Sequence, residues 1–286
     1  MADDSERPSP AGLRRPWLGM LVLATALAGQ PLARSINRLI LGTAGDYAFW
    51  GFIVMGVAGV IIVARWLDAD ELPASIAGFA GGMLVWHGLA EGCLRFFADR
   101  FGVGSVDYGG FPLDGRYALL MSTATILLGV FALFGMLNRE TRCNFMRWCQ
   151  RRLNWSPGDP TPGYRRSYAR IAALETVFVQ WLVFLLFLYL GGSFGTGFYL
   201  AMLAWSLFLL WQLFRYPRAG PAFRYAIPIA VLLFSLAEVG AFFGLYPEYW
   251  KSVASYPISN LLTLFVFAGG AWLLITNARP VGAVTA

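Results

Sequence analysis

The stretch YAFWGFIVMGVAGVIIVARW, Tyr47 to Trp66, carries no charged residue until Arg65. About 20 apolar residues at 1.5 Å of rise each cross a hydrocarbon core, so this segment is predicted to be a membrane-spanning helix. Similar stretches lie on both sides of it. The predicted spans are 17–41, 47–66, 74–98, 117–137, 168–190, 197–214, 223–246 and 256–277. They and their short connections fill nearly all of the chain between 16 and 278, which leaves no soluble domain. Of the 286 residues 58% are hydrophobic and 13% charged, and the mean hydropathy is +0.58. A soluble domain carries about twice that charged fraction. The predicted fold is therefore an all-α polytopic bundle of eight transmembrane helices, with both termini cytoplasmic.

The formal net charge of +6 is sorted by topology and does not point to nucleic acid. With both termini inside, 16 of the 22 basic residues fall on the cytoplasmic side. The densest group is Arg139, Arg142, Arg147, Arg151, Arg152, Arg165, Arg166 and Arg170, between spans four and five. This is the positive-inside pattern, and it suffices to explain the basic loop, which also lies where anionic headgroups are. Arg used almost to the exclusion of Lys suggests a GC-rich bacterial genome, hence a bacterial inner membrane. A competing reading of the start takes Arg14-Arg15, the apolar run from Leu18 and the small residues Ala26 and Ala28 as a cleaved secretory signal, which would leave seven spans. The repeat described next needs the first span.

Shifted by about 150 residues, the chain falls on itself. Gln30 meets Gln180, Gly42 meets Gly192, and Phe49 comes close to Phe198, each Phe following a Gly-rich turn. Leu89-Ala90-Glu91 matches Leu236-Ala237-Glu238, the pair Phe96-Phe97 nears Phe242-Phe243, and the fourth spans open on Tyr117 and Tyr256. The predicted organisation is a disordered tail (1–15), a first four-helix repeat (16–138), a basic cytoplasmic linker (139–166), a second repeat (167–278) and a short tail (279–286). An even number of spans per half gives both halves one orientation, related by an axis along the membrane normal.

A charge in mid-bilayer costs roughly 2.5–3.5 kcal/mol on insertion scales, so it faces protein or water and often marks function. Glu91, Glu175 and Glu238 qualify, with Glu175 nearest the cytoplasmic headgroups. Glu91 and Glu238 are repeat equivalents. His87, Glu91 and Arg95 lie four apart on one helical stripe, which allows pairing along the helix. The second half keeps only the acid, with Phe234 in place of His87 and Phe242 in place of Arg95. Glu238 thus needs a partner from elsewhere, and the candidates are Arg34 and Arg38 in the polar outer half of span one, which also holds Gln30, Pro31, Ser35 and Asn37. One reading of these residues is structural, ion pairs that hold a bundle in register. The other is a chamber between the halves, lined by His87, Glu91, Arg95, Glu238, Arg34 and Arg38, that binds an ion, a proton or a polar headgroup.

The single histidine, His87, excludes a bis-histidine b-type haem within the chain, the His boxes of membrane desaturases and paired-His zinc motifs. The single lysine, Lys251, falls in an outer loop, against a retinal Schiff base in a span. No Walker loop is present. Cys93, Cys143 and Cys149 fit no zinc spacing and read as inert thiols. The outer loop 99–116, with Asp107 and Asp114, reads as a flexible connection. Glu91-x-x-x-Arg95 followed by Phe96-Phe97, in a chain of eight spans, resembles quinol-reactive membrane anchors of molybdenum oxidoreductases; no site residue is carried over from that family.

Three functions remain. The first is a binding or transport protein for a small ion or solute. The second is a non-catalytic anchor or assembly subunit of a larger, quinone-linked complex. The third is an intramembrane enzyme acting on a lipid or isoprenoid, disfavoured by the lack of a nucleophile or metal set. No catalytic residue and no metal site is assigned, and the cofactor is unknown. Expected partners are membrane lipids and subunits of a membrane complex.

Overall fold

The computed structural model describes residues 15–108, 111–113, 115–140, 144–156, 158–159, 161–242 and 244–277. Both predicted tails lie almost wholly outside them, as do Arg142, Cys143 and Asp114. Of the described residues, 79% are helical. Among the described residues six stretches are long and apolar enough to cross a membrane: Trp17–Arg65, Glu71–Arg100, Tyr168–Gly191, Gly195–Leu213, Ala219–Ala241 and Pro257–Asn277. This is the make-up of an all-α, multi-pass membrane protein.

The first stretch is two helices, α1 (Trp17–Ala44) and α2 (Ala48–Arg65), separated by a short turn at Gly45–Tyr47. The second is α3 (Glu71–Val85), a π-helical segment (Trp86–Gly92) and α4 (Cys93–Arg100). A small antiparallel hairpin, Val106–Tyr108 with Phe111–Leu113, leads to α5 (Gly115–Leu137), and a short helix, α6 (Asn144–Arg152), follows. The second part holds α7 (Tyr168–Leu186, continued by a π turn Phe187–Gly191), α8 (Gly192–Leu213, kinked at Gly195), α9 (Ala219–Phe242) and α10 (Pro257–Asn277).

Local chemistry explains several ends. Ser167 caps α7 by accepting from the Arg170 N–H, and Asp70-Glu71 places negative charge at the positive end of α3. Span seven was expected to run to 246. The helix stops at Phe242 because Gly244 turns with φ +75° and Pro247 follows.

The helices pack in a defined pattern. α3 runs along α7, and α1 lies against α9 and α10. α2 packs on α3 and the π segment, α8 on α9, and α5 on α4 and α7. Lipid tails are as apolar as Leu, so close contact rather than water exclusion must hold such helices together. The α3–α7 crossing shows it: a Cβ added at Gly78 would come within 2.2 Å of the Ala169 carbonyl oxygen, and one at Gly82 within 2.9 Å of that of Ala173. The main core joins Leu18, Val22, Phe79, Met83, Phe223, Ile227 and Leu274 from α1, α3, α9 and α10. Exposed apolar rows lie on α2 (Val54, Val57, Ile61), α8 (Leu200, Phe208, Trp211) and α10 (Ile258, Phe265, Trp272), the surfaces that tails would cover.

Candidate functional site

The polar half of α1 supplies the first part of the site. Pro31 sits inside the helix, and Ser35 Oγ donates to the Pro31 carbonyl at 2.8 Å. Arg34, one turn past Pro31, reaches α9. Its Nη1 pairs with Glu238 Oε1, and its guanidinium lies 4.8 Å from the Phe234 ring centre. Arg34 is thus a partner of Glu238, and Phe234 forms the wall against which the arginine lies.

The π segment supplies the second part. It widens the helix over the stretch that carries His87 and Glu91, and such turns recur at functional sites. Its glycines let it sit close to α2: a Cβ at Gly88 would meet the Phe52 carbonyl oxygen at 2.7 Å, and one at Gly92 the Phe52 ring at 2.5 Å. His87 is fully buried, and its Nδ1 lies 2.6 Å from Glu91 Oε2. Asn37 Nδ2 donates to the His87 carbonyl at 2.7 Å and ties α1 to this segment. With Nδ1 on a carboxylate, the second ring nitrogen, Nε2, is buried and has no hydrogen-bond partner among the described residues.

The two parts are one electrostatic unit. Arg34 lies within reach of His87, and Glu238 within reach of both Arg34 and Glu91. The side chains of Arg34, Glu238 and Glu91 are 19%, 24% and 17% exposed, whereas His87 is sealed. Past the end of α9 Tyr246 donates to the Ala237 carbonyl, and Lys251 pairs with Glu248 at 2.5 Å. Glu238 senses both Glu248 and Lys251. Burial, with Tyr199, Glu238 and Glu248 nearby, pushes the Tyr246 phenol above its ordinary pKa, so it remains a hydrogen-bond donor at neutral pH. Arg38 and Arg95 are half-buried on α1 and α4.

Glu175 lies apart from this cluster, on α7 near the opposite side, with Arg224 as its charged neighbour. Arg224 itself pairs with Glu71 at 2.7 Å, donates to Ser75 Oγ at 3.1 Å and covers the Tyr168 ring. Arg218 adds a second, longer contact to Glu71, at 3.3 Å. Between the two levels the amides of Gln30 and Gln180 meet at 2.7 Å beside Met83.

Sequence reasoning did not single out Asn260, which joins the Arg34–Glu238 cluster from α10: its Oδ1 lies 2.5 Å from Ser35 Oγ and shares the single hydroxyl proton with the Pro31 carbonyl, and its Nδ2 donates to the Tyr249 carbonyl at 3.0 Å. An amide one turn inside a predicted span was the available signal. The Glu71–Arg224 pair is a second contact that the sequence does not signal, since its partners stand 153 positions apart. Among the described residues no group of three or more His, Cys, Asp and Glu side chains gathers in metal-binding geometry.

The chain matches no family model, no curated protein and no solved structure.

Proposed function

We propose that this chain is a binding or transport protein of a bacterial inner membrane, with its site at the charged cluster where two four-helix halves meet. Taking α1 and α2 as separate spans and adding α5 brings the six apolar stretches to eight, with both termini cytoplasmic. Three features support the two-halves reading. Gln30 and Gln180, 150 positions apart, are in contact. The joints at Gly45 and Gly195, also 150 apart, have the same backbone angles, φ 50° with ψ −123° and −124°. The packing of α1 on α9 and α10 is matched by that of α7 on α3 and α5, as α2 on α3 is by α8 on α9.

The observation that carries the functional reading is that Glu91 and Glu238, equivalent in the alignment of the halves, lie within electrostatic reach of each other beside Arg34. Each acid is shared with a basic side chain, Glu91 with His87 and Glu238 with Arg34. A proton or small cation arriving at Glu238 competes with Arg34. Releasing that arginine alters the α1–α9 contact, which couples occupancy to the fit between the halves. Proton flux into liposomes holding the purified protein and an entrapped pH dye tests this. The wild type should exceed empty liposomes, and Glu91→Gln or Glu238→Gln should cut the flux at least tenfold with insertion unchanged. A wild-type flux no higher than the empty control, or unaltered flux in both variants, overturns the proposal.

A further inference from the structure

We infer that α6 is a docking site for the phosphates of anionic membrane lipids. This stands independently of any function for the Arg34–Glu238 cluster.

Position comes first. α6 begins seven residues after the apolar helix α5 ends at Leu137, so it is held beside the end of that helix, where headgroups lie. It is seated on one side. Met146 is 3% exposed and packs over Gly135, and Gln150 Nε2 donates to the Met136 carbonyl at 2.9 Å. With Met146 and Gln150 turned inward, the helical period turns Arg147, Trp148, Arg151 and Arg152 outward, and all four are exposed. Arg152 lies 5.9 Å from the Trp148 ring centre. Leu153 and Trp155, which follow at once, are 60% and 42% exposed.

Chemistry comes second. No acidic residue occurs between Asn144 and Ser156. Arg147, Arg151 and Arg152 make no ion pair among the described residues, whereas Arg165, Arg218 and Arg224 each have a carboxylate. The positive-inside rule asks only for basic residues somewhere in a loop. It does not ask that three guanidiniums share one helix face with a half-exposed tryptophan while the opposite face is fixed to the protein. Guanidinium forks match phosphate oxygens, and tryptophan favours the headgroup layer. A basic amphipathic helix with these groups lies in the plane of an anionic surface.

The full-length protein, stripped of lipid in detergent and titrated with phosphatidylglycerol or phosphatidylcholine, should retain the first and not the second in native mass spectra. Each Arg→Gln change at 147, 151 and 152 should weaken phosphatidylglycerol retention about fivefold, and the triple variant on the order of a hundredfold. Arg165→Gln/Arg166→Gln, which removes loop charge away from α6, should change it little. Should the triple variant fail to insert, the wild type in 1 M salt should lose its preference, because screening then acts within about 3 Å. Equal retention of the two lipids, an unaffected triple variant, an equal loss in the 165/166 variant or a preference that survives 1 M salt overturns the inference. So does stoichiometric co-purification of a protein released by the triple substitution.

Discussion

Gln180 donates a 2.7 Å hydrogen bond to Oε1 of Gln30, and the two buried amides stand 150 positions apart, as the positive-φ glycines Gly45 and Gly195 do. In an object with a two-fold axis, equivalent residues touch only on the axis. This contact is therefore where a duplicated bundle would be held at its centre. Replacing one glutamine by leucine strands the other amide and should cost about 1–3 kcal/mol. Gln30→Leu/Gln180→Leu together should cost less than the sum, with a coupling of about 0.6 kcal/mol or more, as between polar side chains in other membrane bundles. Unfolding of the four proteins in mixed detergent and lipid measures this. A coupling of zero would remove the pair from the forces joining the halves.

Arg34 and Glu238 separate a structural role from a functional one. Arg34→Met leaves a carboxylate in a partly buried place and should destabilise by about 3 kcal/mol. Arg34→Met/Glu238→Met removes both charges and should recover most of that loss, since a buried ion pair adds little over apolar side chains of similar size. The same double variant should carry no proton flux. A double variant that is both stable and fully active would show that the pair serves neither purpose.

Much of this arrangement could be read in advance because the bilayer penalises polar atoms. Hydropathy alone placed helices within a few residues of α1, α2, α7 and α10, and the cost of burying charge singled out Arg34, His87, Glu91 and Glu238. What the chain did not disclose depends on contacts far apart in sequence. Arg34 and Arg38 share a helix face, so only the packing of α1 on α9 decides that Arg34 meets Glu238. Asn260 meets Ser35 across 225 positions, once α10 lies on α1. The π segment is equally hidden, since one widened turn leaves apolar periodicity almost unchanged and arises where Gly88 and Gly92 let the backbone settle on α2.

The α3–α7 crossing predicts a contrast between two glycines. At Gly78 a methyl group would press on the Ala169 carbonyl oxygen, at 2.2 Å, whereas at Gly269 on α10 nothing lies within 4 Å. Gly78→Ala should push the helices apart and cost about 1–3 kcal/mol. Gly269→Ala should be neutral or stabilise by about 0.5–1 kcal/mol, because alanine loses less freedom in a helix. Thermal unfolding of the two variants side by side gives the comparison, and equal melting temperatures would contradict the close approach.

Gly45 and Gly195 offer a test of duplication that involves no polar group. Both have φ +50° with nearly the same ψ, and an added Cβ at either would meet nothing within 4 Å. Alanine at either position should therefore be penalised by the backbone alone, about 1–3 kcal/mol, since a positive φ with ψ near −123° is a glycine conformation in which a Cβ is crowded. If the two joints are copies of one element, Gly45→Ala and Gly195→Ala should cost the same within about 0.5 kcal/mol, and their effects should add because the sites share no partner. A loss at one joint with none at the other would mean that the matching angles belong to unrelated turns, and the case for a four-plus-four repeat would then rest on the glutamine contact and helix packing.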